Sequence, residues 1–284
     1  MKIALVADSL ACLPNEIVEK YGIKVVPANL LFEGKIYKDG INLTANQAYS
    51  FIEKNPETFS TSAPSPGDFL VAYRGLIDND AKEILYIGLT SKLSATWNSA
   101  RMAKEQIKSE SPEVKIEVID STFAGPGEAI LISTAIQEIE KGKNLEEIVS
   151  LVESLKKKVQ VLFVLETIRY LHRSGRFPES ATKIASLLPI KPVLKFSEGK
   201  LAIFGISGSK EGGTEKILNF LKTNWDQNTS EIWLTHADCE KEAQSFKEKI
   251  SNIYPSAKIF ITEFSPILGY VTGRGTLGIG FYSK

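Results

Sequence analysis

The chain has 284 residues, enough for one large domain or two moderate ones. Lysine plus arginine and aspartate plus glutamate both number 34, so the balance offers no basic field for nucleic acid or anionic lipid. No apolar run approaches the ~20 residues of a membrane span, and the first residues do not form a signal peptide. Cys12 and Cys239 lack the spacing of a disulfide framework or a zinc site. We therefore expect a cytoplasmic protein with reduced cysteines.

The first half of the chain alternates predicted strands and helices. The pattern predicts a buried strand at Lys2–Ala7, a short helix at residues 15–21, a strand at 25–32, a hairpin at 32–37 and a helix from Thr44. Such alternation indicates an α/β domain built on a parallel sheet.

Two polar turns in this half are candidates for one anion-binding site. The segment Ile84–Ala100 passes from an apolar strand through a polar turn into a helix, and such turns lie at the ligand-binding edge of open α/β sheets. Its Ser94, and the Thr61-Ser62 pair of the turn at 60–66, offer hydroxyl groups beside the free N–H groups of helix starts. Helix capping explains each turn alone, and Ser65-Pro66 has the form of a standard N-cap with proline at the first helical position. Two such turns together favour a binding site for a carboxylate or a phosphate.

Two consecutive predicted helices without a strand between them indicate a crossover into a second unit. We place the boundary near Lys156–Val159, which gives an N-terminal domain of residues 1–157 and a C-terminal domain of residues 158–284. The second domain is expected to hold strands at 160–165, 190–196, 200–206, 231–234 and 258–263, helices at 180–188, 211–225 and 237–253, and a glycine-rich strand–turn–strand at 265–282. These elements predict a mixed-sheet α/β domain.

The segment 166–177 carries four basic side chains on one short helical turn. Clusters of this kind are ordinarily solvated, but in a chain without net charge this one is the best candidate for docking an acidic partner or a phosphate. We therefore assign Arg169, Arg173 and Arg176 to partner docking. His172 lies among them without a second histidine at metal-binding spacing.

Known catalytic signatures are absent from the sequence. Gly273–Gly278 matches a dinucleotide pattern but leaves no room for the helix that must follow it, and no P-loop, nucleophile elbow or HExxH motif is present. We therefore expect neither a metal nor a cofactor. A small serine hydrolase or transferase using Ser94 is one alternative, although His172 and His236 are the only candidate bases. A regulatory module that docks a protein through residues 169–176 is another.

Several segments carry a resemblance to a known family: Val6–Ser9, Thr61–Pro66, Leu93–Ala100, Val118–Ser121, Leu165–Arg176 and the glycine-rich end, in the family's order over nearly the whole chain. Together they resemble the DegV family of bacterial fatty-acid-binding proteins. The resemblance implies two α/β domains with a lipid tunnel between them. It also implies a carrier without catalytic machinery of its own. Such a carrier presents a bound long-chain fatty acid to a separate fatty acid kinase, and the acyl phosphate formed there serves phospholipid synthesis.

The resemblance also assigns the residues that hold the fatty-acid carboxylate. The family's hydroxyls map onto Thr61 or Ser62 and onto Ser94. Ala95, beside Ser94, stands where the family often has glycine, which is a mild change if its φ is negative.

Two further departures from the family pattern lie near the carboxyl terminus. Val271 stands at the position of a histidine that belongs to the family's carboxylate site, and Arg274 stands at the position of a proline. An inward guanidinium at Arg274 would meet the carboxylate bidentately, so we include it among the ligand-binding candidates. The alternative is an outward side chain, the commoner fate of a surface arginine.

Overall fold

The computed structural model describes residues 3–55, 58–176, 190–229 and 231–284. Its strands are β1 (Ile3–Asp8), β2 (Lys24–Val26), β3 (Asn29–Phe32), β4 (Lys35–Lys38), β5 (Phe59–Ser62), β6 (Glu83–Gly88), β7 (Lys115–Asp120), β8 (Val159–Val164), β9 (Lys191–Ser197), β10 (Lys200–Ser207), β11 (Glu231–His236), β12 (Lys258–Glu263) and β13 (Leu277–Tyr282). Its helices are α1 (Asn15–Tyr21), α2 (Ala45–Lys54), α3 (Pro66–Ile77), α4 (Thr96–Glu110), α5 (Pro126–Glu140), α6 (Leu145–Leu155), α7 (Arg169–Arg173), α8 (Lys210–Asn224), α9 (Glu240–Ile253) and α10 (Pro266–Thr272). A 3₁₀ turn, Ser9–Ala11, follows β1.

The strands form a parallel sheet, a mixed sheet and a small antiparallel sheet. The parallel sheet has the order β2-β1-β6-β7, as predicted for the first half of the chain. The mixed sheet has the order β10-β9-β8-β13-β11-β12, in which only β11 and β12 pair in parallel. The small sheet, β4-β3-β5, contains the predicted hairpin.

Helix α5 lies between the two large sheets and packs on both. Because successive side chains of a strand point to opposite faces, Leu5 of β1 packs into the core that contains α5, whereas Val6 packs into the core formed with α3 and α4. In the mixed sheet, Val161 and Phe163 face the α5 side and Leu162 joins the core formed with α8 and α9. The core around α5 is therefore shared by both halves of the chain.

The glycine-rich end of the chain serves this packing. A Cβ atom built on Gly280 of β13 would lie 2.8 Å from the carbonyl oxygen of Pro126, and one on Gly278 would lie 2.5 Å from the Phe163 ring. Gly273 and Gly275 have φ values of 88° and 85°, which glycine adopts at no steric cost. The dinucleotide-like pattern thus leads into a strand, β13, that approaches α5 closely.

Three predicted elements differ from the structure or lie outside it. The strand predicted at 25–32 is two strands of different sheets, because Pro27 interrupts it and cannot donate to a ladder. The strand–turn–strand predicted at 265–282 is wrong in its first part. Ser265 caps a helix there by accepting a hydrogen bond from the Leu268 N–H, and Pro266 takes the first helical position. The helix predicted at 180–188 lies outside the described residues.

The close approach of β13 to α5 predicts that Gly280→Ala destabilises the protein. The added methyl group would meet backbone at 2.8 Å, and overpacking of this kind costs about 1–3 kcal/mol. Urea denaturation should show that loss in the free energy of unfolding. Gly205→Ala in β10 is the matched control, because its Cβ would meet only the Lys216 side chain, at 3.7 Å. Equal stabilities of the two variants would contradict this account of β13.

Candidate functional site

A cleft opens where the parallel sheet, the small antiparallel sheet and the mixed sheet meet. We call it the central cleft. Its non-atom space, including the open mouth, is about 670 Å³. Its polar lining residues are Thr61, Ser62, Ser94, Arg176 and Thr272. The remaining lining is apolar: Leu10, Ala28, Ala63, Leu89, Leu93, Ala124, Phe163, Phe196, Leu201, Phe264, Ile267, Leu268 and Val271.

Strand β5 brings Thr61 and Ser62 to the cleft. The register with β3 places Ser62 opposite Asn29, whose side-chain amide donates to the Ser62 hydroxyl at 3.3 Å and to the Ala63 carbonyl at 3.2 Å. The chain then enters α3 through the predicted cap, in which the Ser65 hydroxyl accepts from the backbone N–H of Asp68. Both ends of this short segment are therefore fixed.

Ser94 reaches the cleft from the turn between β6 and α4. Its hydroxyl lies 2.8 Å from the Thr96 hydroxyl and accepts from the Thr96 N–H at 3.3 Å. Ala95 has a φ of −78°, which satisfies the condition for its replacing glycine. The N-cap residue of α4 is Ala95, which has no side chain that can accept a hydrogen bond from the first N–H groups of the helix.

Arg176 lies in the central cleft, which differs from its predicted place on a docking face. Its guanidinium donates from Nη2 to the Thr61 hydroxyl at 3.1 Å and from Nε to the Leu93 carbonyl at 3.2 Å. Gly175, with a φ of 68°, turns the chain after α7 and directs Arg176 inward. Burial lowers the pKa of the guanidinium, which nonetheless stays charged at any physiological pH. In the sequence, Gly175 is a local signal that the helix ends before Arg176.

The other two predicted docking residues lie on α7 itself. Arg169 is exposed at the first position of the helix, and Arg173 is half-buried at its last. The structure therefore separates Arg176, which is in the cleft, from Arg169 and Arg173, which stay candidates for docking.

Arg274 is not among the residues that line the central cleft. Its guanidinium pairs with Glu53 of α2 at 2.9 Å and with Asp238 at 2.6 Å, and it stands over the Tyr49 ring. With 45% of its side chain exposed, it links the start of β13 to α2. We therefore do not place a ligand carboxylate at Arg274. Val271, in contrast, is buried in α10 and lines the cleft.

A buried carboxylate supports the turns that form one wall of the cleft. Asp8, at the end of β1, accepts from the Leu10 N–H at 2.9 Å, the Leu89 N–H at 2.9 Å and the Tyr86 hydroxyl at 2.7 Å. Burial raises the pKa of Asp8, and these three donors oppose that rise. Because Leu10 and Leu89 both line the cleft, Asp8 fixes the spacing of their two turns.

The described lining offers Ser94 no activating base. It contains no histidine, aspartate, glutamate, lysine or cysteine. His172 is exposed on α7, and His236 accepts from the Cys239 N–H at the end of β11. The hydrolase alternative therefore lacks the base it requires within this lining.

Two features are absent from the part of the chain that the structure describes. Within residues 3–55, 58–176, 190–229 and 231–284, no group of three or more histidine, cysteine, aspartate or glutamate side chains is arranged to hold a metal ion. Over the same ranges, no helix has the length and apolar character needed to cross a bilayer.

Comparison with known proteins places the chain in a family. The family described as "Uncharacterised protein, DegV family" matches residues 2–284. The chain belongs to the DegV family. A DegV domain-containing protein of Clostridium perfringens is similar to it, with 31% identity over 99% of this chain and 97% of that protein.

Solved DegV structures have the same fold. A Thermus thermophilus DegV family protein, described for its fatty acid binding, superposes with a TM-score of 0.91, 26% identity and full coverage of both chains. The Streptococcus pneumoniae Fatty Acid Kinase (Fak) B3 protein, loaded with linoleic acid, gives a TM-score of 0.89, 26% identity and full coverage of both chains. The expected two-domain α/β fold is thereby confirmed.

Glu128 of α5 is a buried carboxyl group that lies within the influence of the charges of Asp8 and Asp120. It is fully buried, and neither carboxyl oxygen has a hydrogen-bond partner among the described residues. Burial, followed by the charges of Asp8 and Asp120, raises the pKa of Glu128 well above its usual value. The folded protein therefore holds a proton on Glu128 that the unfolded chain releases above pH ~4.3.

This raised pKa predicts the pH dependence of a Glu128→Gln variant. Through Glu128 alone, the wild type loses stability as pH rises above ~4.3, because the folded state binds this proton more tightly than the unfolded state. The variant lacks that loss. Its free energy of unfolding relative to wild type should therefore rise with pH, by up to about 1.4 kcal/mol per unit, in urea denaturation between pH ~4.5 and ~7.5.

Glu138→Gln on the same helix is the control for this experiment. Glu138 pairs with Lys141 and Lys143, whose hydrogen bonds and charges lower its pKa. The stabilising contribution of Glu138 is present above the pKa that this group has in the unfolded chain. The Glu138→Gln variant should therefore be less stable than wild type at pH ~4.5 and at pH ~7.5. A pH-independent effect of Glu128→Gln would show that Glu128 does not hold a proton in the folded state.

Proposed function

We propose that the central cleft binds a long-chain fatty acid, with its carboxylate at Arg176, Thr61 and Ser94. The observation that carries this proposal is the guanidinium of Arg176, which faces hydroxyl groups in an otherwise apolar lining. That lining, as far as it is described, holds no aspartate or glutamate to balance the charge. A largely apolar cleft with one cationic end suits a ligand that is apolar along its length and anionic at its tip. The fatty acids in the Thermus and Streptococcus relatives support the proposal.

The apolar part of the cleft accounts for the affinity of an acyl chain. Burial contributes about 0.8 kcal/mol per CH₂ group, so ~15 such groups give roughly 12 kcal/mol before the losses. Immobilising the ligand costs several kcal/mol of this, which still leaves useful affinity. The rings of Phe163, Phe196 and Phe264 supply much of the apolar surface from the mixed-sheet side.

The polar end accounts for the carboxylate. A carboxylate must exchange its hydration for hydrogen bonds, or burial becomes unfavourable. Arg176 supplies a charged donor, and Thr61 and Ser94 supply hydroxyl groups that can rotate to donate. The Ser62 hydroxyl and the uncapped turn at Ala95 border the same end. Arg176 is held at this end by donating to the Thr61 hydroxyl and the Leu93 carbonyl.

Mass spectrometry tests the ligand directly. The protein is purified under native conditions, extracted with organic solvent, and the extract is quantified against the protein. We expect about one long-chain fatty acid per chain. An extract without fatty acid, together with no saturable binding of added oleate, would refute the proposal.

We further propose that the protein is a carrier, without chemistry of its own, that presents the fatty acid to a separate fatty acid kinase. The likeness to the Streptococcus Fatty Acid Kinase B3 protein supports this role. Arg169 and Arg173 lie on α7, only a few residues before Arg176, so a partner that docks on α7 approaches the carboxylate end of the cleft. Basic side chains there suit an acidic surface on the kinase.

A charge reversal on α7 tests the docking role. Arg169→Glu should reduce acyl-phosphate formation by tenfold or more in an assay with added kinase and ATP, because like charges would meet at the interface. A tenfold loss corresponds to about 1.4 kcal/mol of binding free energy. Fatty acid should still co-purify with the variant. Lys222→Glu, an exposed reversal on α8, is the control and should leave the rate unchanged. An unchanged rate with Arg169→Glu would remove α7 from the interface, and loss of bound lipid would assign Arg169 to the ligand.

Three alanine variants, two at arginines and one at Ser94, test the position of the carboxylate. Arg176→Ala should weaken fatty-acid binding by about 3 kcal/mol or more, since it removes a charged donor, and Ser94→Ala by roughly 1.5–3 kcal/mol. Arg274→Ala is the matched control, because it also removes one arginine but lies outside the cleft, and its affinity should equal that of wild type. Isothermal titration with oleate measures all three. A loss with Arg274→Ala equal to that with Arg176→Ala would move the carboxylate site.

A further inference from the structure

The hairpin of β9 and β10 extends beyond the mixed sheet at its turn. The ladder between β8 and β9 ends at the pair Leu162↔Lys195, whereas the ladder between β9 and β10 continues to the pair Ser197↔Lys200. Strand β10 is also an edge strand of this sheet. We call residues 196–201 the hairpin tip. Within the described strands, the hairpin tip therefore joins the sheet only through its own two arms.

The hairpin tip reaches the other half of the chain at the turn after β6. There the hydroxyl of Thr90, which is fully buried, donates to the carbonyl oxygen of Gly199 at 3.0 Å. Gly199 has a φ of 80°, and a Cβ atom built on it would lie 2.7 Å from the Thr90 hydroxyl oxygen. The ring of Phe196 meets that of Phe123 edge-on, with 5.7 Å between the ring centroids. The hairpin tip thus closes directly against the parallel-sheet half.

This contact lies in the wall of the central cleft. Phe196 and Leu201, at the two ends of the hairpin tip, both line that cleft. Leu93 and Ser94, in the turn that carries Thr90, line the same cleft. Parting the hairpin tip from this turn would therefore open the wall of the cleft.

The turn after β6 is the fixed side of the contact. The N–H of Leu89 donates to the Asp8 carboxylate at 2.9 Å, and the N–H of Thr90 donates to the carbonyl of Phe123 at 2.9 Å. Both acceptors belong to the same half of the chain as the turn. The turn therefore keeps its place when the hairpin tip leaves it.

The base of the hairpin tip has a feature that allows bending. The register between β10 and β9 shifts between Ile203 and Gly205, and such a bulge disrupts the ladder locally and bends the strand. A Cβ atom on Gly205 would meet only the side chain of Lys216, at 3.7 Å, so the packing around this position is open. The hairpin tip is therefore the side of the contact that can move.

We propose that the hairpin tip is a lid, which opens at the contact between Thr90 and Gly199 to admit and release the ligand of the central cleft. This rests on the proposed function, in which the ligand is a long-chain fatty acid. A ligand covered along its length leaves only when a wall of its site parts, and lids of this kind set the rates of ligand exchange. The hydrogen bond from Thr90 holds the lid closed.

Exchange kinetics of oleate with a Thr90→Val variant test the lid. The variant keeps the branched shape of the side chain but loses the hydroxyl, so the open state should gain about tenfold in population. The rates of association and dissociation should both rise by about that factor, with Kd nearly unchanged, because the lid must open for both steps. Rapid mixing with oleate gives the first rate, and transfer of bound oleate to excess albumin gives the second.

Thr134→Val is the matched control for the kinetics. Its hydroxyl also joins the two halves of the chain, through a 2.6 Å hydrogen bond with the hydroxyl of Tyr282, but Thr134 lies outside the described lining of the cleft. Both exchange rates of this variant should equal those of wild type.

A disulfide across the contact tests the lid independently. The Cβ atom of Lys92 lies 3.6 Å from a Cβ atom built on Gly199, which is within the range of disulfides. The double variant Lys92→Cys/Gly199→Cys, loaded with oleate and then oxidised, should retain the oleate in the presence of albumin, and dithiothreitol should restore release. The reduced protein carries the same substitutions and controls for strain at residue 199. Where no disulfide forms, the kinetics of Thr90→Val decide.

Three results would overturn the lid. They are unchanged exchange rates in Thr90→Val, a rise of its dissociation rate alone with an equal rise of Kd, and release from the oxidised double variant as fast as from the reduced one. The second result would mean that the contact supports the wall without gating the cleft. Failure of the proposed function looks different: wild type would then show no saturable oleate binding, and both proposals would fall.

Discussion

The close contact between α5 and β13 determines how the two halves of the chain fit together. Gly280 lets the strand approach the backbone of Pro126, so α5 packs against the mixed sheet without a side-chain layer at that point. The opposite side of the same helix packs against the parallel sheet. The distance between the sheets is therefore set by one helix diameter. The central cleft lies at the N-terminal end of α5, beside Ala124, where the helix no longer fills the space between the sheets.

Helix α10 contacts the central cleft on one side and a buried carboxyl group on the other. Its residues Ile267, Leu268 and Val271 line the central cleft, whose described charged group is Arg176. The backbone N–H of Ile267 donates to the side chain of Asp39. A shift of this seven-residue helix would therefore alter the apolar wall of the cleft and the hydrogen bonding of Asp39 together.

Local signals in the sequence predict much of this arrangement. The alternation of strands and helices, the hairpin at Glu33-Gly34 and the cap at Ser65-Pro66 depend on neighbouring residues, and each appears in the structure as expected. Thr61 and Ser94 also meet at one cleft as expected, although Thr61 lies in strand β5 and Ser94 lies in the turn between β6 and α4.

Residues whose role depends on distant parts of the chain were harder to place. Arg176 belongs to a cluster that looks like a solvated face, and its contacts with Thr61 and Leu93, far away in sequence, hold it in the cleft. Arg274 meets partners on α2 and before α9 that no local pattern pairs with it. No local pattern marks Asp39, since its hydrogen bond is made with Ile267 of α10, which is far away in sequence.

The position of Val271 shows how the charge of the site is distributed. The family resemblance assigns a histidine to this position, and here an apolar side chain of α10 lines the cleft instead. An imidazole would be charged only below pH ~6.5, whereas the guanidinium of Arg176 is charged at any physiological pH. A carboxylate held by Arg176 and hydroxyl groups therefore meets a constant positive charge as pH varies around neutrality. In the proposed site, with valine at 271, the proton balance would depend on the ligand's own carboxyl group, and Ile267, Leu268 and Val271 of α10 contribute an apolar wall.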